Sequence, residues 1–98
     1  MTFERDENNI LTVHFPEKIT STEAPEVDSE FAKLLAEGEC AGVVIDAKDL
    51  QYISSAGLRV LLKVKKQVNS VKMNGVSEEV YTVLDMTGVA DLIEVEKA

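Results

Sequence analysis

The sequence predicts an α/β domain in which a mixed, largely parallel β-sheet of four to five strands packs against helices. Leu11, Val13 and Phe15 alternate with polar residues, a period of two that is typical of a half-buried strand. Residues 42–46, Gly-Val-Val-Ile-Asp, are apolar without alternation, which favours a strand covered on both faces. Segments with helical periodicity separate the strands, and this alternation favours a parallel or mixed sheet. At 98 residues, the chain is expected to form one domain, residues 1–98.

The first part of the chain predicts a β-hairpin. Residues 2–6 are expected to pair with the strand at residues 10–15 across the turn Glu7-Asn8-Asn9. Residues 42–46 are the best candidate for the middle of the sheet, because this run lacks polar positions.

A first helix is expected after the second strand. It begins at Thr22 or Ala24, because Pro25 is tolerated only within the first helical turn. Gly38 is expected to end it. Its apolar stripe consists of Val27, Phe31, Leu34 and Leu35.

The last third of the chain predicts a strand, a helix and a final short strand. Residues 71–73 form the first of these strands. Ser77, followed by two glutamates, is a good helix start, and Gly88 is a good helix end. A turn and a short strand at residues 92–95 would close the fold.

The central segment, residues 52–62 (YISSAGLRVLL), places two serines at the start of a predicted helix over residues 55–68. Successive side chains turn by about 100° along a helix. The face towards the sheet then comprises Gly57, Val60, Leu61, Val64 and Val68, and the face towards water comprises Arg59, Lys63 and Lys66.

The two serines are expected to have different roles. Ser54 is the better N-cap, because its hydroxyl can accept a hydrogen bond from an amide of the first turn. Ser55 is expected to be exposed at the positive end of the helix dipole, one turn before Arg59. This position is favourable for a phosphate group. Gly57 is expected to let the helix start approach the sheet closely, because it lacks a Cβ atom.

Composition excludes several kinds of partner. The formal net charge of −8 repels nucleic acids and anionic membranes, and it favours a basic protein partner. Cys40 is the single cysteine, so the chain forms no intramolecular disulfide and a reducing compartment is expected. The sequence contains no signal peptide or apolar run of membrane-spanning length, so a cytoplasmic location is expected.

The residues do not favour an enzyme, a metal site or a bound cofactor. Residues 53–57 contain half of a G-x-S-x-G elbow, and His14, the only histidine, lies at a polar position of a strand. One histidine and one distant cysteine make no metal-ligand set. Asp46 ends the central strand as a receiver-type phosphoacceptor would, but a receiver also needs an acidic pair at the end of a neighbouring strand, and Pro16-Glu17, which follows the strand at residues 10–15, is a poor substitute.

From Val43 to Leu62 the chain resembles the STAS family, the domain of bacterial anti-sigma factor antagonists. The family pattern is an apolar strand ending in Asp, a loop, and D-S-[ST]-G-L at a helix start. Here these are Val43–Asp46 and Ser54–Leu58, the latter reading Ser-Ser-Ala-Gly-Leu. Residues 75–98 resemble the closing helix, the Thr-Gly and the last strand of the family.

The resemblance implies a phosphorylation switch. Ser55 aligns with the serine that an anti-sigma factor, acting as a serine kinase with ATP, phosphorylates. The unmodified antagonist binds that kinase, phosphorylation releases it, and a metal-dependent serine phosphatase restores it. The expected partner contacts are Thr20, Ser21, Ser54, Ser55, Ala56, Gly57, Arg59 and Leu62.

Two positions depart from the family pattern. Ser54 stands where many relatives carry Asp before the phosphorylated serine, and Thr20 replaces the Asp of a G-x-[LI]-D turn. Ser54 is therefore an alternative phosphate acceptor. The alternative function is an adaptor that is not phosphorylated and that offers a constant docking surface in a transport or signalling complex.

Overall fold

A computed structural model describes residues 2–38 and 40–98 and confirms the predicted α/β class. The strands are β1 (Thr2–Arg5), β2 (Ile10–His14), β3 (Lys18–Ile19), β4 (Gly42–Asp46), β5 (Tyr52–Ile53), β6 (Val71–Val76) and β7 (Glu94–Lys97). The helices are α1 (Ala24–Ala36), α2 (Ser55–Gln67) and α3 (Glu78–Met86), and a 3₁₀ turn follows at Val89–Asp91. None of the helices in the described ranges is long and apolar enough to cross a membrane.

The main sheet has five strands in the order β1-β2-β4-β6-β7. Strands β1 and β2 form the predicted antiparallel hairpin, and every other neighbouring pair in this sheet is parallel. As predicted, β4 is the central strand. The short strands β3 and β5 form a separate parallel pair that was not predicted from the sequence.

One face of the main sheet forms the core with all three helices. The buried strand residues lie in two rows across the sheet, Leu11–Val43–Val71 and Val13–Ile45–Met73. They share one cluster with the predicted stripe of α1, of which Leu35 is half-buried and the other three members are buried. The buried apolar side chains of α2 join the same cluster, as do Val80 and Leu84 of α3.

The other face of the sheet is open, so the prediction that residues 42–46 are covered on both faces is wrong. Val44 and Asp46 point to the open face and are only half-buried. Their neighbours on that face are Thr12, His14 and Lys72. The β-branched run therefore reflects strand preference more than burial.

The boundaries of the last helix and strand follow from local chemistry. Ser77 caps α3 as predicted, because its Oγ accepts a hydrogen bond from the Val80 amide at 3.2 Å. Gly88 follows the C-cap with a φ of 81°, a left-handed conformation that suits glycine. The 3₁₀ turn then delays the last strand, which begins at Glu94 rather than at the predicted residue 92.

Candidate functional site

Two loops meet where α2 begins, because β3 and β5 pair in parallel. Ile19 lies opposite Ile53, and the Ser54 amide donates a hydrogen bond to the Ile19 carbonyl oxygen at 2.8 Å. Thr20 and Ser54 each follow this pair directly along the chain. The structure therefore brings the Thr20–Ser21 segment next to the two serines. In the sequence, Thr20 lies 33 positions before Ile53, the residue that precedes Ser54.

Thr20 organises the turn that leads into α1. Its Oγ1 donates to the Glu23 carboxylate, 2.9 Å from Oε1, and accepts a hydrogen bond from the Thr22 amide at 3.1 Å. The Thr20 amide also donates to Glu23 Oε1, at 3.2 Å. Glu23 reaches back to the Thr20 amide as in a capping box, but the Thr20 hydroxyl accepts from the Thr22 amide and not from the Glu23 amide. These bonds order the turn before α1, whose N-cap residue is Glu23. Ser21 is exposed beside it.

Ser54 is the N-cap of α2, as predicted. Its backbone is extended, with φ of −84° and ψ of 170°, and its Oγ accepts a hydrogen bond from the Gly57 amide at 3.2 Å. Ser54 is half-buried. Its hydroxyl is therefore engaged in holding the first turn.

Ser55, the first residue of α2, is exposed. Within the described residues, its hydroxyl makes no hydrogen bond to another protein group. The Ser55 and Ala56 amides are likewise not bonded to any group in residues 2–38 or 40–98, as expected for the first turn of a helix. An anionic group on the Ser55 oxygen would meet these amides and the positive end of the helix dipole.

Gly57 fixes the distance between α2 and the β3–β5 pair. A Cβ atom at this position would lie 2.7 Å from Ile53 Cγ1 and 2.9 Å from Ile19 Cγ2, both too short for real contacts. The predicted close approach is confirmed, and it is made to Ile19 and Ile53. Gly57 is itself buried, so it sets the position of the surface around Ser55 and is not part of it.

The outward side of α2 is cationic. Arg59, Lys63 and Lys66 are exposed, as predicted. Lys63 forms an ion pair with Asp28 of α1 at 3.1 Å. Arg59 forms no ion pair within the described ranges, so its guanidinium remains available next to Ser55, one helical turn away.

A shallow groove runs between α1 and α2 beside this surface. It is lined by Ser21, Ala24, Pro25, Asp28, Ala56, Arg59, Val60 and Lys63. Three of the predicted contact residues, Ser21, Ala56 and Arg59, therefore share one groove. Leu62, two turns after Ser55, lies outside it, is half-buried and packs against the core.

A polar cluster on the open face of the sheet was not predicted. His14 Nδ1 lies 2.8 Å from Asp46 Oδ2, and His14 Nε2 lies 2.9 Å from Glu4 Oε1. The hydrogen bonds with Glu4 and then Asp46 raise the pKa of His14 above its ordinary value of 6.5. Period-two alternation places Glu4 and His14 on polar positions, but only the register of β1, β2 and β4 brings them to Asp46.

Asp46 is engaged within this cluster. Partial desolvation raises the pKa of the Asp46 carboxyl, but the hydrogen bond from the Lys48 amide and the one with His14 outweigh that effect. The pKa of Asp46 therefore lies below its ordinary value. The carboxylate that ends the central strand is ionised and held in place.

Comparisons with known proteins agree with the fold and the motif. The sequence pattern of the STAS domain matches residues 4–98. The chain is 32% identical over 95 residues to the anti-sigma-B factor antagonist of Bacillus subtilis, covering 93% of this chain and 85% of that protein.

Solved structures show the same fold at low sequence identity. The anti-sigma factor antagonist SpoIIAA in its unphosphorylated form has a TM-score of 0.84 at 10% identity, over 96% of this chain and 85% of that chain. The phosphorylated form of SpoIIAA, a Bacillus cell fate determinant, has a TM-score of 0.73 at 9% identity, over 96% and 88% of the two chains.

Proposed function

The chain belongs to the STAS domain family, and on this premise we propose that it is an anti-sigma factor antagonist controlled by phosphorylation of Ser55. Without phosphate, it binds an anti-sigma factor that is also a serine kinase, and the sigma factor is released. The kinase transfers the terminal phosphoryl group of ATP to Ser55 Oγ, which loses its proton, and the complex separates. A metal-dependent serine phosphatase hydrolyses the phosphoserine and restores binding, in the cytoplasm. The chain is a substrate and a binding partner in this cycle and catalyses neither step.

The observation that carries this proposal is the difference between the two serine hydroxyls. The Ser54 hydroxyl is engaged by the Gly57 amide, whereas the Ser55 hydroxyl is exposed and makes no hydrogen bond within the described chain. A kinase can therefore reach Ser55 without unfolding the helix start. Ser54, which is half-buried, is the second candidate acceptor.

The same position explains how one phosphate could switch binding while the fold is kept. A phosphoserine carries about −1.5 to −2 charges. At the first position of α2 these charges face free amides and the positive end of the helix dipole, so the folded state tolerates them. In a protein interface they introduce repulsion and desolvation, which can cost several kcal/mol, or orders of magnitude in affinity.

The proposed contact surface for the kinase surrounds Ser55. It consists of Thr20, Ser21, Ser54, Ser55, Ala56, Arg59 and Leu62, with Gly57 supporting it from below. The relatives support this reading: one is named an anti-sigma-B factor antagonist, and SpoIIAA has been solved in unphosphorylated and phosphorylated forms.

Intact mass spectrometry tests the phosphorylation directly. The purified chain is incubated with candidate anti-sigma kinases from its own organism and ATP, and the product is digested to locate the phosphate. We expect one phosphoryl group on Ser55, none on the Ser55→Ala variant, and an unchanged single phosphoryl group on Ser54→Ala. Phosphate on Ser54 in the parent chain would contradict the assignment of the acceptor.

The second candidate function is an adaptor that is never phosphorylated. Thr20 and Ser54, which stand where the family pattern has Asp, favour this alternative, because the lost carboxylates would lie beside the acceptor. Size-exclusion chromatography of the complex with its partner, with and without ATP, separates the two functions. A complex that ATP leaves intact, with both serines unmodified, would identify the adaptor.

A further inference from the structure

A second surface, separate from Ser55, carries exposed apolar side chains. Met86 is 80% exposed, Leu92 56% and Val83 36%. Phe3 and Tyr52 are the other large apolar side chains exposed within residues 2–38 and 40–98. Val83 and Met86 lie one turn apart on the same side of α3, and Leu92 follows the 3₁₀ turn that packs against α3. Exposed apolar side chains that cluster in this way mark sites of interaction.

All charged side chains in the segment that contains these residues are acidic. Residues 77–96 contain no lysine or arginine. Their carboxylates are Glu78, Glu79, Asp85, Asp91, Glu94 and Glu96. Two of them are neutralised at the edge of the segment, where Glu78 pairs with Lys97 at 3.6 Å and Glu96 pairs with Lys72 at 3.2 Å.

The carboxylates next to the apolar side chains are not neutralised. Within the described ranges, Glu79, Asp85 and Asp91 form no ion pair. Glu79 lies one turn before Val83 on the outer side of α3, and Asp85 lies about 100° around the helix from Met86, at the border of that side. Apolar contact area and uncompensated negative charge therefore occur together, and an occupant with apolar and cationic side chains complements both.

The cationic helix α2 of a second copy does not supply that combination. The cations of α2 are Arg59, Lys63, Lys65 and Lys66, but this helix buries its apolar side chains or, in the case of Leu62, half-buries them. It would bring positive charge without an exposed apolar anchor. An anionic membrane is disfavoured too, because the carboxylates of this surface would repel it.

We propose that Glu79, Val83, Asp85, Met86 and Leu92, here called the α3 surface, dock a basic amphipathic segment of a partner protein. Apolar side chains of that segment pack on Val83, Met86 and Leu92, and its lysines or arginines pair with the neighbouring carboxylates. This docking would give the domain a second attachment, in addition to the one proposed at Ser55.

Amide chemical shifts measured with a designed peptide test the proposal. The ¹⁵N-labelled full chain is titrated with a helical peptide of leucine and lysine at 3.6-residue periodicity. The controls are a scrambled peptide of the same composition and a leucine–glutamate peptide of the same pattern. We expect shift changes confined to residues 79–92 with the first peptide and none with the other two.

Paired variants make the result specific. The double variant Val83→Ser, Met86→Ser is expected to bind the leucine–lysine peptide about tenfold or more weakly than the parent chain. Phe3→Ser, which removes a side chain 48% exposed at the opposite edge of the sheet, is expected to leave the affinity unchanged. Glu79→Gln with Asp85→Asn is expected to reduce the salt dependence of binding. Circular dichroism melting verifies that each variant remains folded.

Several outcomes would overturn the proposal. Equal binding of the scrambled peptide, shift changes located on α2, or an unaffected Val83/Met86 double variant would each show that the α3 surface is not the docking site. Sedimentation of the chain with zwitterionic lipid vesicles, or concentration-dependent dimerisation that the double variant abolishes, would assign the surface to a membrane or to a second copy.

Discussion

At the scale of single residues, the site depends on a division of roles between adjacent positions. Ser54 closes the start of α2 with its hydroxyl, and Ser55 presents its hydroxyl to solvent. Helical spacing and N-cap preference predicted this division. Spacing did not predict that Thr20 lies beside Ser54, because that adjacency depends on the β3–β5 pairing.

Replacing each serine by alanine separates the two roles. Ser54→Ala removes the N-cap acceptor, and we expect it to lower the free energy of unfolding by about 0.5–2 kcal/mol. Ser55→Ala removes an exposed hydroxyl with no protein partner, and we expect a change within about 0.5 kcal/mol. Urea unfolding measures both. Equal losses for the two variants would show that Ser54 is not the cap.

Gly57→Ala tests the contact between α2 and the β3–β5 pair. The new methyl group would clash with Ile53 and Ile19. Overpacking of this kind costs about 1–3 kcal/mol, which the better helix propensity of alanine offsets only partly, by about 1 kcal/mol. We therefore expect a net loss of stability in urea unfolding. Gly38→Ala is the matched control, because its Cβ would meet no atom within 4 Å; a Gly57→Ala variant as stable as this control would contradict the close contact.

His14 makes the stability of the open face depend on pH. A neutral imidazole has one donor and one acceptor nitrogen, so only the protonated ring can donate to both Glu4 and Asp46. Because the pKa of folded His14 is raised, its contribution is fully present below 6.5, the ordinary value, and is lost as the pH rises through the folded pKa. For Asp46, whose folded pKa is lowered, the contribution is present above the ordinary value of 3.8 and is lost as the pH falls through the folded pKa.

The measurement is the free energy of unfolding from pH 5.5 to 9, together with an NMR titration of the His14 ring. We expect the parent chain to lose stability as the pH rises, and His14→Gln to remove most of that dependence. A His14 pKa at or below 6.5 would show that the two carboxylates do not hold the ring in its charged form.

At the scale of secondary-structure elements, α2 carries the site because its inner face is firmly packed. Its bounds were predicted to within one residue, since five apolar residues at helical spacing and a serine cap agree with one another. The strands β3 and β5 were not predicted, because two-residue strands are too short to show alternation. The last strand was displaced because a 3₁₀ turn has no distinct sequence period.

Leu61→Ala tests the inner face of α2. Leu61 is fully buried, and we expect its truncation to reduce the free energy of unfolding by about 2–5 kcal/mol. Leu62→Ala, on the neighbouring half-buried position, is the matched control and is expected to cost less. Chemical denaturation of both variants measures the difference. Equal losses of stability for the two variants would show that the packing face of α2 has been assigned incorrectly.

At the scale of the whole molecule, the chain combines a one-sided sheet with an uneven distribution of charge. The open face of the sheet was not predicted, because β-branched residues favour strands whether one face or both faces of the sheet are buried. The overall negative charge of −8 was evident in the composition, and the cations of α2 and the carboxylates of residues 77–96 are already separated along the sequence. Only the structure showed that exposed apolar side chains accompany the carboxylates of α3. Partners of different chemistry can therefore bind at different places on the same small domain.

The most direct test of the proposed switch is the affinity of the anti-sigma kinase for Ser55→Asp, measured by calorimetry in the absence of ATP. Ser70→Asp is the matched control, because Ser70 is also exposed but lies at the opposite end of the sheet. There its carbonyl oxygen accepts a hydrogen bond from the Val43 amide. We expect Ser55→Asp to weaken the complex by about tenfold or more without lowering the melting temperature, and Ser70→Asp to bind like the parent chain. A Ser55→Asp variant that binds the kinase as tightly as the parent would contradict the switch.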